Sequence, residues 1–279
     1  MTNHPTMTPP ATGAGAGAPL VARVDHEGVC TLTLNDPSSR NSLSEEMLAL
    51  LAATFDGIAA DPSVRVVLLQ AEGPVFCSGH HLKQMTAHRA DADRGRAYFA
   101  DMMARCAAVM GRITRLPQPV IAVVEGVATA AGCQLVATCD LAIADARATF
   151  STPGVHIGLF CSTPMVALSR NVSAKHAMEM LLTGDSVSAE DAYRFGLVNR
   201  VTTQGEARQV ARVMADTIAA KSTLTVKTGK RAFYDQRTMS LDEAYAAMGQ
   251  VMVENMLARD AEEGIGAFID KREPRWEDR

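Results

Sequence analysis

The sequence predicts an α/β protein, with a strand-rich core of roughly 200 residues followed by a helical C-terminal part. Three observations predict it. Short apolar runs suited to buried strands, such as residues 120–124, alternate with segments of helical spacing. The run at 120–124 breaks at Gly126, and small residues (Ala128 to Gly132) lead from it into helical spacing at Leu135, Val136 and Cys139. From Glu206 onward only helical spacing remains. The expected division is a disordered tail over residues 1–18, a core over 19–205 and a helical region over 206–279.

Composition narrows the class. The chain has 279 residues, 47% of them hydrophobic and only 5% aromatic, as in an alanine- and valine-rich globular protein. A net charge of −4 gives no general attraction for nucleic acid or an anionic membrane. No window approaches the uncharged apolar length that spans a bilayer. The six cysteines show no CxxC spacing and read as reduced apolar fillers, which points to the cytoplasm. The opening MTNHPTMTPPATGAGAGA holds neither an apolar run nor an arginine, so a secretory signal or an arginine-rich transit peptide is not expected.

In chain order, residues 20–24 and 29–34 flank Asp25-His26-Glu27-Gly28 as a hairpin. Residues 35–39 form a loop, and Ser42 with Glu45 reads as a capping box. The helix behind it sets Leu48, Leu51, Ala52, Phe55 and Ile58 on one face, and Asp61-Pro62 ends it. Residues 64–69 form a short buried strand. The segment EGPVFCSGHHLKQM follows, with turns at Gly73-Pro74 and Ser78-Gly79. Residues 89–115 are mostly helix, with Met102, Met103, Cys106, Val109, Met110 and Ile113 inward.

The central stretch, residues 119–164, carries the chemistry. A strand that passes through a small-residue turn into a helix presents backbone N–H groups at the positive end of the helix dipole. Such a turn can seat developing negative charge. Tight helix–sheet packing also needs small residues, and the stretch alone does not separate the two. Further on, Ser173 caps a helix closed by Gly184, and Ser188 with Asp191 opens another closed by Gly196. Helices over residues 241–259 and 264–271 end the chain.

Four segments in register, FCSGHHLKQM, PVIAVVEGVATAAGCQLVATCDLAIA, FSTPGVHIGLF and LLTGDSVSAEDAYRFGLVNRV, resemble the enoyl-CoA hydratase/isomerase (crotonase) superfamily. The similarity runs from about Leu20 to Trp276. It implies a ββα spiral core with a helical trimerisation region, a homotrimer or hexamer, and a coenzyme A thioester as substrate or ligand with no other cofactor and no metal. It places the thioester carbonyl between the backbone N–H groups of His80, after Ser78-Gly79, and Ala131, before Gly132-Cys133. It further suggests Arg40, His81 and Lys83 around the coenzyme, with Phe268 and Lys271 supplied by a neighbouring subunit. One branch of the superfamily binds RNA through a lysine-rich helix, but the matching helix here, residues 45–60, has no lysine or arginine.

The chain departs from the family where the chemistry would be. A GGGCEL-type segment is AAGCQL here, which puts Gln134 where a hydratase has its first glutamate. A FAQPE-type segment is FSTPG, which puts Gly154 at the second. An isomerase aspartate past the IGL segment is replaced by Cys161-Ser162, and the usual aspartate after the oxyanion residue is His81. The AAGCQL and STPGVHIGLFCSTP patterns most resemble a subgroup that lacks both glutamates. Three readings stay open: a family enzyme poor at hydration, a decarboxylase-type enzyme that needs only to stabilise an enolate, and an acyl-CoA-binding protein without chemistry.

Other residues compete for roles. His156, two residues beyond Gly154, is a substitute acid/base or simply a hydrogen-bonded loop histidine. Cys161 with His156 would make a thiolate pair. Cys77, His80 and His81 suggest a metal, but a fourth ligand is missing nearby. Acyl chain length depends on how residues 85–110 pack.

Overall fold

The computed structural model of the protein describes residues 18–279. The tail expected over residues 1–18 lies outside them except for Ala18. Strands β1 (Val21–His26) and β2 (Val29–Leu34) form the hairpin, in register from Val21 opposite Leu34 to His26 opposite Val29. The turn is shorter than the sequence suggests. Glu27 and Gly28 alone make it, both at positive φ, as a two-residue turn of type I′ requires.

Helix α1 (Glu45–Ala59) buries Met47, Leu48, Leu51, Phe55 and Ile58. Its cap is Ser44, whose hydroxyl accepts the Met47 N–H at 3.1 Å, and not the expected Ser42. Strands β3 (Val66–Ala71) and β4 (Val75–Cys77) follow, then α2 (Leu82–Ala87) and α3 (Arg96–Arg115). The helix expected from residue 89 starts at 96, because Gly95 adopts a left-handed conformation (φ 83°) that breaks the run. Strands β5 (Val120–Val124) and β6 (Val127–Thr129) lead into α4 (Ala131–Thr138). Next come β7 (Leu141–Asp145), β8 (Thr149–Ser151), α5 (Ser162–Leu168), α6 (Ala174–Thr183), β9 (Val187–Ser188), α7 (Ala189–Phe195) and β10 (Arg200–Thr202). Gly184 and Gly196 close α6 and α7 in left-handed conformations, as the sequence predicts. The C-terminal part is α8 (Ala207–Ala219), α9 (Thr223–Gln236), α10 (Leu241–Leu257) and α11 (Arg259–Asp270).

Two sheets result. One has six strands in the order β1-β2-β3-β5-β7-β10, and the other has four in the order β4-β6-β8-β9. Each successive pair (β3 and β4, β5 and β6, β7 and β8) gives one strand to each sheet, and the matching strands pair in parallel. The ββα spiral is therefore real. Residues along β5 alternate between two cores: Val120, Ala122 and Val124 join the main core, while Ile121 and Val123 face α8. Ala207, Ala211 and Ala215 let α8 lie close on that second face.

Helix α9 is tied to the core by a buried ion pair. Lys230 Nζ donates to Asp140 Oδ2 (2.6 Å) and to the carbonyls of Ile113 and Gln118 (both 2.9 Å). Asp140 also accepts the Val120 N–H and the Tyr234 hydroxyl. Burial pushes the Lys230 pKa down, and Asp140 opposes that by holding the charged form. Removing the cation would leave Asp140 buried with only part of its shell. Lys230→Met is therefore expected to cost about 3 kcal/mol in urea unfolding.

Helices α10 and α11 leave large apolar side chains outside, including Leu241, Tyr245, Leu257, Phe268 and Ile269, each more than two-thirds exposed. Among the described residues no helix is long and apolar enough to cross a membrane.

Candidate functional site

The site forms where the end of β4 meets the turn from β6 into α4. Backbones approach there more closely than side chains permit. A Cβ on Gly126 would lie 2.1 Å from the Pro74 carbonyl oxygen, and one on Gly132 would lie 2.1 Å from that of Cys77. Gly79 has φ +87°, and a Cβ on it would stand 2.9 Å from the Ala130 Cβ and 3.1 Å from the Ala131 nitrogen. The His80 and Ala131 amides are thus neighbours across two chain segments. Among the described residues, neither donates a hydrogen bond to a loop carbonyl or a side chain. The two readings of the small-residue stretch turn out to be compatible: the glycines permit the packing, and the packing brings the amides together.

The flanking backbone is pinned. Leu43 N–H donates to the Gly79 carbonyl at 2.8 Å, Ser78 N–H to that of Arg40 at 3.1 Å, and Ala130 N–H to that of Ser151 at 2.9 Å. Ala130 is held at φ 53°, ψ −119°, a conformation that favours glycine. Such strain costs on the order of 1–3 kcal/mol. Ala130→Gly should therefore raise stability by about 1 kcal/mol in thermal or urea unfolding.

All eight residues of α4 are buried, so its N-terminal amides sit at a dipole end shielded from bulk water. One turn past Ala131, Gln134 is buried, and its Oε1 has no hydrogen-bond partner. Gly154 lies in a 3₁₀ turn, Pro153–Ile157. A Cβ on it would be 3.0 Å from both the Cys161 Sγ and the Leu159 carbonyl oxygen. Cys161 thus fills the space through which a side chain at 154 would leave the backbone. Burial pushes the Cys161 thiol up, away from the thiolate that nucleophilic attack needs. His156 is exposed, and its Nε2 donates to the Thr183 carbonyl at 2.8 Å, so the ring anchors the turn to α6.

His81 is the N-cap of α2, with Nδ1 accepting the Gln84 N–H at 3.2 Å, which does the work an aspartate would do there. Arg40 and Lys83 are exposed on the segments flanking Ser78, and neither takes part in an ion pair among the described residues. Phe268 and Lys271 lie at the end of α11, fully on the surface. Cys77 is pushed up to about 12 by burial, and burial lowers His80, whose ring nitrogens are enclosed without a partner. Among the described residues no three His, Cys, Asp or Glu side chains cluster as metal ligands.

A feature absent from the sequence reading is a cavity of about 450 Å³ between α3, α4, α5 and α9. Gln134 and Thr138 line its buried part, and Arg170, Asn171 and Arg237 line its outer part. Gln134 alone among them lies in a motif; Thr138, Arg170, Asn171 and Arg237 carry none, because four separate helices bring them together.

The family model described as enoyl-CoA hydratase/isomerase matches residues 25–279. The chain is 45% identical over 258 residues to "Enoyl-CoA hydratase domain-containing protein 3, mitochondrial" of Xenopus laevis, covering 92% of this chain and 86% of that protein. The human protein of the same name is 44% identical over 250 residues, 90% of this chain and 81% of that one. Among solved structures, an enoyl-CoA hydratase of Mycobacterium smegmatis has a TM-score of 0.89 at 50% identity, covering 93% of this chain and 99% of that one. The human domain-containing protein 3 has a TM-score of 0.87 at 43% identity, covering 92% and 99%.

Proposed function

The chain belongs to the enoyl-CoA hydratase/isomerase family, and from that premise we propose that it binds an acyl-CoA thioester with the carbonyl oxygen between the His80 and Ala131 amides, and that it hydrates enoyl-CoA weakly or not at all. The observation that carries the reading is the pair of undonating amides that Gly79 and Gly132 let converge at the start of α4. Two such donors stabilise an enolate or oxyanion, each worth about 3–4 kcal/mol in related chemistry. Gln134 cannot take up a proton at neutral pH, and Gly154 has no side chain. Each missing acid or base forfeits about 10²–10⁴ in rate. Arg40 and Lys83, cations flanking the amide pair, fit the coenzyme phosphates.

Decarboxylation is the second reading that the same observation favours. Loss of CO₂ from a malonyl-type thioester leaves an enolate that the amides alone would hold, with no carboxylate base. The apolar faces of α10 and α11 support a homo-oligomer, a trimer or hexamer, that would bring Phe268 and Lys271 to a neighbour's ligand. The six cysteines are all buried and unpaired, which supports the cytoplasm or another reducing compartment. The role that follows is in fatty-acid and acyl-CoA metabolism.

Calorimetric titration of the full chain with acetyl-CoA, beside crotonyl-CoA followed at the enoyl absorbance, tests the proposal. Saturable binding with slow or no loss of absorbance is expected. Rapid loss would overturn weak hydration, and absence of binding would overturn the acyl-CoA reading. Release of CO₂ from malonyl-CoA would move the assignment to decarboxylation.

A further inference from the structure

The cavity behind α4 is not accounted for by the amide pair. We propose that it receives the far end of the acyl group, and that Arg170 and Arg237 make it a site for a chain ending in a carboxylate. The proposal rests on the acyl-CoA reading above and names the substrate class of that same site.

One face of α4 sets the route. Ala131, Gln134 and Thr138 are spaced i, i+3, i+7, so they share one helix face. Gln134 and Thr138 both line the cavity. At 1.5 Å per residue the face spans roughly 10 Å, the reach of a medium-length acyl chain. A thioester held at the Ala131 amide would therefore send its chain past Gln134 and out by Thr138. The walls on that route are apolar, with Met110 and Ala137 buried and Ala167 half-buried.

The outer end is cationic. Arg170 and Arg237 are exposed there, and neither pairs with a carboxylate among the described residues. Arg170 spends one N–H on the Val166 carbonyl (2.8 Å), and Arg237 spends one on the Arg170 carbonyl (2.5 Å). The second contact ties the two residues together and leaves N–H donors of both over. Arg112, on a different face of α3, shows the contrast: its Nε and Nη2 donate to Asp56 and its Nη1 to the Ala108 carbonyl. A plain alkyl chain would fill the apolar part and leave both guanidinium groups without a carboxylate, Arg237 keeping its stack over the Phe233 ring at 5.5 Å. A terminal carboxylate presents the two oxygens that a guanidinium fork fits. In the wall of the cavity, Gln134 keeps a buried Oε1 without a hydrogen-bond partner.

The test compares octanoyl-CoA with suberoyl-CoA, its ω-carboxylated counterpart, and with the ω-methyl ester of suberoyl-CoA, by calorimetry on the full chain. Suberoyl-CoA should bind about tenfold tighter than octanoyl-CoA, as expected for a charge-assisted hydrogen bond, and the methyl ester should bind like octanoyl-CoA. In R170Q/R237Q the preference should shrink to about twofold or less. The ester needs no variant, so the comparison stands even if the double variant fails to fold. Equal affinities for all three ligands, or a preference that survives in the variant, would overturn the proposal while leaving the acyl-CoA reading intact. Absence of binding by acetyl-CoA as well as the longer thioesters would overturn both.

Discussion

Gly132→Ala should abolish the native packing of the site, at a cost of at least about 4 kcal/mol, and yield little folded protein. The added methyl would lie 2.1 Å from the Cys77 carbonyl oxygen, 2.7 Å from its carbon and 2.9 Å from its Cβ. Two of these three atoms are backbone, at the end of a strand paired with β6, so no rotamer change relieves the clash. The chain would have to part β4 from α4, which separates the two amides. Gly57 supplies the control. It lies exposed within α1 with nothing within 4 Å of its would-be Cβ, and Gly57→Ala should stabilise by about 0.5–1 kcal/mol through helix propensity. Thermal melts of the two variants check the pair of outcomes. Equal melting temperatures would mean that the close approach at Gly132 is not a constraint.

Restoring two carboxylates should restore hydration, but only with room made for them. Gln134→Glu places a carboxylate at the buried position where an amide oxygen now has no partner. Gly154→Glu is harder. Its Cβ would press on the Cys161 Sγ at 3.0 Å, the Leu159 carbonyl at 3.0 Å and the Cys161 nitrogen at 3.2 Å. The thiol can be removed, and the two backbone atoms need shift only by tenths of an ångström. The triple variant with Cys161→Ala is therefore expected to hydrate crotonyl-CoA at least ~10²-fold faster than the natural chain, and faster than the double variant that keeps Cys161. Initial rates with matched acetyl-CoA affinities make the comparison. A triple variant that binds acetyl-CoA normally and hydrates no faster would show that the missing carboxylates are not what limits the reaction.

Much of the frame was legible because its signals are local. The 120–124 run, the face of α1 and the glycines closing α6 and α7 each state their structure within one turn or strand. The errors have local causes too. Ser42 and Ser44 both precede acidic residues, and only the path of the chain decides which hydroxyl meets an amide: Ser44 does, while the Ser42 hydroxyl is buried without a partner. Strand β6 has three residues, too few for a period to appear. At the site, the small-residue turns pointed to free amides, and the absence of both glutamates was plain in AAGCQL and FSTPG. The crowding of Gly154 by Cys161 and the meeting of Arg170 with Arg237 were not legible. The first is a side-chain contact across a loop, and the second joins residues 67 positions apart.

Helix α4 has no residue facing water, and this bears on time as well as on shape. A helix with a solvent face frays from that side and exchanges its amide hydrogens by brief local openings. For α4 no such side exists. The hydrogen-bonded amides of Gln134 to Thr138 should exchange with deuterium only when the surrounding core opens, so their rates should follow global unfolding. The amide pair at the head of α4 would then be a fixture with the lifetime of the folded molecule, and a ligand arriving there would meet a geometry set in advance rather than one it must wait for.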